Sequence, residues 1–471
     1  MTLKTVFLFC LFLCTLSAAP TVYVQNLGSG DVSLIDPLTD MNLVGSPLMV
    51  GSSPRNFAVS PDQSRIYLTN ANSDSVSVID TITNTTLMTI NLTGGDGPDA
   101  IAITPDGSRL YVACPTGDNV KMIDTTTFAV TTIGGFSFPN SVGITPDGTE
   151  VYISNPGMMT GPNVKVIDNT LVVPVVSVTI SDAGITGPNL LAITPNGQQV
   201  YVTNPGTTVV NAINVASHTV TSNITVGNGP FCVAITHDGS RVYVPCANAT
   251  RVDVIDTSLN SVVSSIVSPM LLDTPVWAAV MPDDSKVYVA IQNTGSVGVI
   301  TNSPVPPTML TGSPITVGTT PQFLAITPDG SKVFVTNSGS ADVSTIDTAT
   351  DTIETLSIPV GTTPIHIAFA GFTNPTPPGN SVTGYQTTNQ FLTQTDRINV
   401  ISWTEPSTGG PFVKYLIYRD PSFTIFAGEV LVGQPLEFED HNRKKGETYS
   451  YYVVAVDDVG GTTSVGSVSL N

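Results

Sequence analysis

The chain has 471 residues, with 36 Asp and Glu against 16 Lys and Arg, a net charge of −20. So few cations cannot neutralise a phosphate backbone or an anionic lipid surface, which excludes nucleic acid and such membranes as partners. Only 11% of residues are charged, while Gly and Pro number 40 and 36; this balance suits many short strands joined by polar turns rather than helices.

The chain opens on MTLKTVFLFCLFLCTLSAAP. One early cation, Lys4, precedes an apolar run over residues 6–16 and then small residues, the pattern of a secretory signal peptide over residues 1–19. That run is too short to span a bilayer, and no later run is longer. A secreted, cell-surface or cell-envelope protein without a transmembrane segment is therefore expected. Cys10 and Cys14 would leave with the signal, and Cys114, Cys232 and Cys246 are too few for a disulfide scaffold.

From Ser60 onward one phrase recurs seven times: SPDQSRIYLTN, TPDGSRLYVAC, TPDGTEVYISN, TPNGQQVYVTN, THDGSRVYVPC, MPDDSKVYVAI and TPDGSKVFVTN. Its second positions, Pro61, Pro105, Pro146, Pro195, His237, Pro282 and Pro328, are spaced 44, 41, 49, 42, 45 and 46 residues apart. A period of this size suits a unit of four short antiparallel strands. Within a unit, PDAIAIT is a first strand and PDG a tight turn. Pro fixes φ, Asp accepts local backbone bonds and Gly takes positive φ. RLYVA is a second strand, and NVKMID or SVSVID a third, closed by an Asp suited to an Asx turn. TTLMTINL is a fourth strand leading to a Gly-rich approach.

Both faces of these strands are apolar, so every sheet needs cover on two sides. A small residue sits mid-way along each first strand: Ala58, Ala102, Gly143, Ala192, Ala234, Ala279, Ala325 and Ala368. Small side chains there let sheets converge on an axis, with Tyr67, Tyr111, Tyr152, Tyr201, Tyr243, Tyr288 and Phe334 filling the space further out. That describes an all-β chain folded as a β-propeller over residues 20–371. Residues 21–50 read as a unit lacking its first strand, and PIHIAFA, 364–370, as a first strand lacking its unit. Joined, they make an eighth blade and remove the exposed edges; the count falls to seven if one divergent unit is not a blade.

VYVTN (200–204), with the PDGS and VSVID phrases, resembles the YVTN-type β-propeller repeat of bacterial and archaeal surface proteins. The resemblance implies a cell-surface or extracellular protein without an assigned reaction. Gln63 and Asp284 replace the turn Gly, and His237 the turn Pro.

FTNPTPPGNSVTG (372–384) is a linker by composition. Beyond it, over 385–471, INVISWTEP, VKYLIYRD and GETYSYYVVAVDDVGG alternate like strands of a small sandwich. With Trp403, Tyr415 and Tyr418 they resemble a fibronectin type III domain. That resemblance makes Tyr449 the tyrosine corner.

Chemistry is sparse. No nucleophile elbow, P-loop or H-E-x-x-H motif occurs. His218, His237, His366 and His441 lie in separate places, so no His-rich metal or haem centre, and no cofactor, is expected. The repeated turn aspartates (Asp36, Asp80, Asp124, Asp168, Asp256 and Asp347 among them) occur one per blade and read as turn residues. Binding in propellers falls where the loops before the first strands surround the axis. Arg55, Asp99, Asn140, Asn189, Phe231, Trp277, Gln322 and His366 stand there, with Asn56 and Phe323 beside them. Asp99, Asn140 and Asn189 are similar to the carboxylate-and-amide calcium sites of propeller lactonases, but only Asp99 is acidic. Polar groups interleaved with aromatics fit a binding face for a protein or glycan, with a lactonase-like hydrolase or lyase as the alternative. Cys232 and Cys246 fall on one hairpin, where a disulfide and two buried thiols are both open readings.

Overall fold

In the computed structural model each repeat folds as one four-stranded antiparallel sheet, and eight such sheets form the blades of a β-propeller. The structure describes residues 19–157, 161–267, 274–303, 306–310 and 312–371, and seven strands between 382 and 470. No helix occurs among the described residues. Seven complete blades follow in chain order: blade 1 over 54–91, blade 2 over 101–133, blade 3 over 141–180, blade 4 over 191–225, blade 5 over 234–266, blade 6 over 275–316 and blade 7 over 321–359. The eighth, closing blade takes its inner strand, Pro364–Ala370, from the C-terminal side and the rest, from Thr21 to Met49, from the N-terminal side. Val22 pairs with Phe369 and Tyr23 with Ala368. Each inner strand touches the inner strand of the next blade all the way round, so the ring is closed and the count is eight.

The taper expected from the small residues has a definite register. Ala58, Ala102, Gly143, Ala192, Ala234, Ala279, Ala325 and Ala368 lie directly opposite Tyr67, Tyr111, Tyr152, Tyr201, Tyr243, Tyr288, Phe334 and Tyr23 on the neighbouring strand. One small and one large side chain on each sheet alternate from hub to rim, and these aromatics are the largest fully buried side chains of the ring. Gly143 has no room even for alanine: a Cβ there would stand 2.3 Å from Leu191 Cδ1 of blade 4.

The turn phrase acts locally and between blades. In blade 2, Thr104 Oγ1 and the Ser108 amide donate to Asp106 Oδ1 (2.5 and 2.9 Å), and Gly107 sits at φ +73. A Cβ on Gly107, Gly148, Gly197 or Gly239 would meet the turn proline of the preceding blade at 3.2–3.4 Å, so the turns stack from wedge to wedge. Gln63 and Asp284 adopt positive φ in place of glycine, a conformation costing an L-residue roughly 1–2 kcal/mol. Asp284 offsets this. His237, replacing proline in blade 5, exposes a backbone N–H, which donates to Asp284 Oδ1 at 2.7 Å; His237 Nδ1 lies 2.9 Å from the same oxygen. The two departures from the repeat therefore answer each other.

Residues 1–18 of the signal segment lie outside the described residues, as do most of the linker, His441 and the side chains of Trp403, Tyr415, Tyr418 and Tyr449. The tail strands form two sheets. One has the order Val382–Gln390, Thr395–Trp403, Glu437–Asp440; the other runs Phe426–Leu431, Phe412–Tyr418, Tyr449–Asp457, Thr462–Leu470.

Candidate site at the axial mouth

The YVTN phrase positions the mouth. Its Thr lies on the second strand and turns toward the start of the inner strand. Thr69 Oγ1 accepts from the Asn56 amide (3.1 Å) and donates to the Asp99 carbonyl of blade 2 (2.6 Å). Thr203 Oγ1 accepts from the Leu190 amide (3.1 Å), and Ser154 Oγ from Ser141 (2.9 Å). Thr336 Oγ1 donates to the Ile365 carbonyl of the closing blade (3.1 Å). The hydroxyl thus pins the backbone that carries the mouth residues to its own blade, and in blades 1 and 7 to the next as well. The closing blade reads YVQN, and its Gln25 does the same work with a longer reach, donating to the Pro54 carbonyl.

Two arcs result. The aromatic arc comes from blade 6, blade 7 and the closing blade. Trp277 and Phe323 have ring centroids 4.7 Å apart, Phe323 and His366 4.9 Å, and Trp277 and His366 6.3 Å. Rings from blades two steps apart make contact only if their strands converge. The polar arc comes from blades 1 to 4: Asn56 Nδ2 donates to Asp99 Oδ1 at 3.3 Å, and Asn140 Nδ2 donates to Asn189 Oδ1. His366 joins the arcs, its Nδ1 lying 2.8 Å from the Arg55 carbonyl. A carbonyl only accepts, so Nδ1 carries the proton and Nε2 is left with the lone pair. Phe231 and Gln322 are not drawn into either set of contacts; Phe231 is 44% exposed.

The electrostatics set this place apart. Most aspartates with shifted pKa values are turn residues held low, their hydrogen bonds outweighing burial, as for Asp62, Asp106 and Asp347. Asp99 goes the other way. Burial raises it, and neither the Arg55 charge nor the Asn56 hydrogen bond brings it back. Burial pushes His366 down to about 4, with the Arg55 guanidinium adding to the effect and the Arg55 carbonyl opposing it, so the imidazole is neutral. Carboxyl groups displaced by burial mark functional places more often than turn positions do.

The remaining expectations resolve as follows. His218 pairs with Glu150 of blade 3 (2.8 Å) and His237 with Asp284, so the described histidines do not converge. Asp36, Asp80, Asp124, Asp168, Asp256 and Asp347 each accept amides two or three residues on, as turn residues do. Cys232 and Cys246 are free and buried, as is Cys114, and no bridge joins them. Burial drives all three thiols up to about 12. Cys114 and Cys246 occupy the place of the YVTN Asn, and in each case a buried charge replaces the lost amide contacts. Lys121 pairs with Asp96 at 3.0 Å, and Arg251 with Asp253 at 3.0 Å. Those ion pairs were not foreseen; the only signal was Lys121 and Asp253 at a third-strand position that holds Ser or Asn in four of the eight blades.

No family model matches this chain, and no curated protein does. Among solved structures, hydrazine synthase from Kuenenia stuttgartiensis is similar at 22% identity and a TM-score of 0.51, over 64% of this chain and 98% of that one. Dihydro-heme d1 dehydrogenase NirN in complex with DHE is similar at 13% identity and a TM-score of 0.61, over 74% of each chain. At these identities the likeness is one of fold.

Proposed function

We propose that the protein is an exported propeller of the YVTN type whose axial mouth binds a protein or glycan partner at the cell surface. The observation carrying this reading is the convergence of Arg55, Asn56, Asp99, Asn140, Asn189, Trp277, Phe323 and His366 at one end of the inner strands. Apolar rings beside a few placed polar groups are what small-ligand and partner sites are made of. Export is supported by the pattern of residues 1–19 and by the resemblance to surface proteins. The tail, with three strands in one sheet and four in the other, supports a fibronectin type III-like module that spaces or docks the ring.

The protein immobilised over surface material from its own cells should retain a partner. Replacing Asn140 and Asn189 with Ala should cut that retention at least tenfold without lowering the melting temperature. Equal retention by the variant, or a protein confined to the cell interior, would overturn the reading. The raised Asp99 carboxyl beside a neutral imidazole favours one alternative, a hydrolase or lyase of lactones or glycans. Unchanged turnover in D99A and N140A proteins would remove it.

A further inference from the structure

We infer that the mouth takes a neutral carbohydrate chain, a pyranose face resting on the aromatic arc and its hydroxyls meeting the polar arc. This rests on the reading of the mouth as a binding site and names its ligand class. Three observations carry it.

The first is unspent hydrogen-bonding capacity. The Arg55 guanidinium, the Gln322 amide and the Trp277 indole N–H have no hydrogen-bond partner among the described residues, although all three side chains are half-buried. None of their polar atoms is sealed from solvent, so all three stand open to a ligand that brings both donors and acceptors.

The second is charge. The mouth holds one carboxyl, Asp99, beside one guanidinium, Arg55; the rest of the polar arc is amide. Within the site the charges cancel, while the whole chain stands at −20. An anionic ligand would meet the field of the chain, and a cationic one would leave Arg55 facing like charge. A neutral ligand meets neither objection.

The third is the division of the mouth. Trp277 and Phe323 lie on adjacent blades with centroids 4.7 Å apart, a broad apolar surface, and the amides face it from blades 3 and 4. Sugar rings have the same division, with C–H groups on their faces and hydroxyls around their edges. A peptide would bring one hydrogen-bonding pair per residue and variable side chains, with no reason for this segregation.

The chain has two tryptophans, Trp277 and Trp403, so the W403F protein reports on the mouth alone. Cellohexaose, maltohexaose, xylohexaose and chitohexaose would be titrated to about 10 mM, a range that captures even weak binding. At least one should shift Trp277 emission saturably and displace retained surface material. The N189A protein, trimmed at a half-buried loop position, and the D99N protein, which keeps the side-chain volume, should fold and should bind that sugar at least tenfold more weakly. No saturable shift with any of the four, while wild-type protein still retains surface material in a mouth-dependent way, overturns the carbohydrate class and leaves the binding reading standing. Retention that ignores mouth substitutions overturns both. An equal shift by N189A and D99N proteins places sugar elsewhere and overturns the inference.

Discussion

Tyr111 fills the space opposite Ala102 in its own blade, and its hydroxyl reaches Asn169 Oδ1 of blade 3 at 2.5 Å. Arg109 reaches the same turn, its Nη1 donating to the Asn169 carbonyl at 2.9 Å. The clasp recurs: Tyr201 to Asn260 and Gln199 to Thr257, Tyr243 and Arg241 to Asn302, Tyr288 and Lys286 to Asp351. In these four blades a long polar residue after the turn and a tyrosine two places on both hook the next wedge, whereas in blade 3 Tyr152 donates to Glu150 of its own blade and only Glu150 reaches blade 4, at His218. Blade 7 has Phe334, and Lys332 alone reaches Asp40 of the closing blade (3.1 Å), where Thr345 and Thr355 also donate. Tyr111→Ala should cost roughly 3–5 kcal/mol, the range for emptying a packed aromatic site. Tyr111→Phe should cost about 1 kcal/mol, one hydrogen bond; urea unfolding distinguishes them. Asp99 makes the opposite prediction. A carboxyl whose folded pKa lies above its unfolded value opposes folding at neutral pH, and the penalty disappears as pH falls below the unfolded value. D99N protein should therefore melt higher than wild type at pH 7, with the gap closing in acid.

The approach loops show what an element demands of its sequence. In blade 1 the Gly51 loop crosses Asn70; a Cβ on Gly51 would lie 2.7 Å from Asn70 Cγ and 2.3 Å from Ser73 Oγ. Gly318 lies against Asn337 and Gly361 against Asn26 in the same way. The Asn holds the third strand in turn, Asn70 Nδ2 donating to Ser77 Oγ at 3.0 Å and Asn337 Nδ2 to Ser344 Oγ at 2.9 Å. G51A protein should be destabilised by at least as much as an overpacked core, about 1–3 kcal/mol, read as a lower urea midpoint at unchanged slope. Strands, turns and taper were legible because each has a local period or a turn chemistry. The mouth was legible only as positions: Arg55, Asp99, Asn140 and Asn189 could be placed next to the axis, but not which neighbours touch. That Asp99 is shielded, that Trp277 reaches His366 and that Asp284 answers His237 depend on how far the wedges converge, which no single repeat encodes. The outer edges were also missed. In the closing blade and in blade 6 the fourth strand is two short pieces, Met41–Asn42 with Leu48–Met49 and Thr308–Met309 with Ile315–Thr316. In each, the serine of a Gly-Ser-Pro turn caps the third strand: Ser46 Oγ accepts from Leu34 N and Ser313 Oγ from Val299 N. An interrupted edge resists pairing with another chain.

The molecule as a whole is a ring that needs both ends of its propeller segment. Its turn aspartates make it acid-sensitive. In Asp124 and Asp256 hydrogen bonds from turn residues lead the downward shift; in Asp62, Asp80, Asp106 and Asp347 burial opposes it and the hydrogen bonds outweigh it. Groups whose folded pKa is depressed contribute stability that is complete above the unfolded value of 3.8 and is lost as pH falls through the folded values. The urea midpoint should thus hold between about pH 7 and pH 5 and drop steeply below about pH 4. Closure itself is read most directly by native-state hydrogen exchange of residues 364–370 followed by mass spectrometry. Their amides should exchange as slowly as those of the inner strand of blade 1, Pro54–Val59, because Pro364–Ala370 pairs with Thr21–Asn26 inside the ring. Exchange of 364–370 at the rate of a free tail, with the other blades still protected, would contradict the closed eight-bladed ring on which the mouth depends.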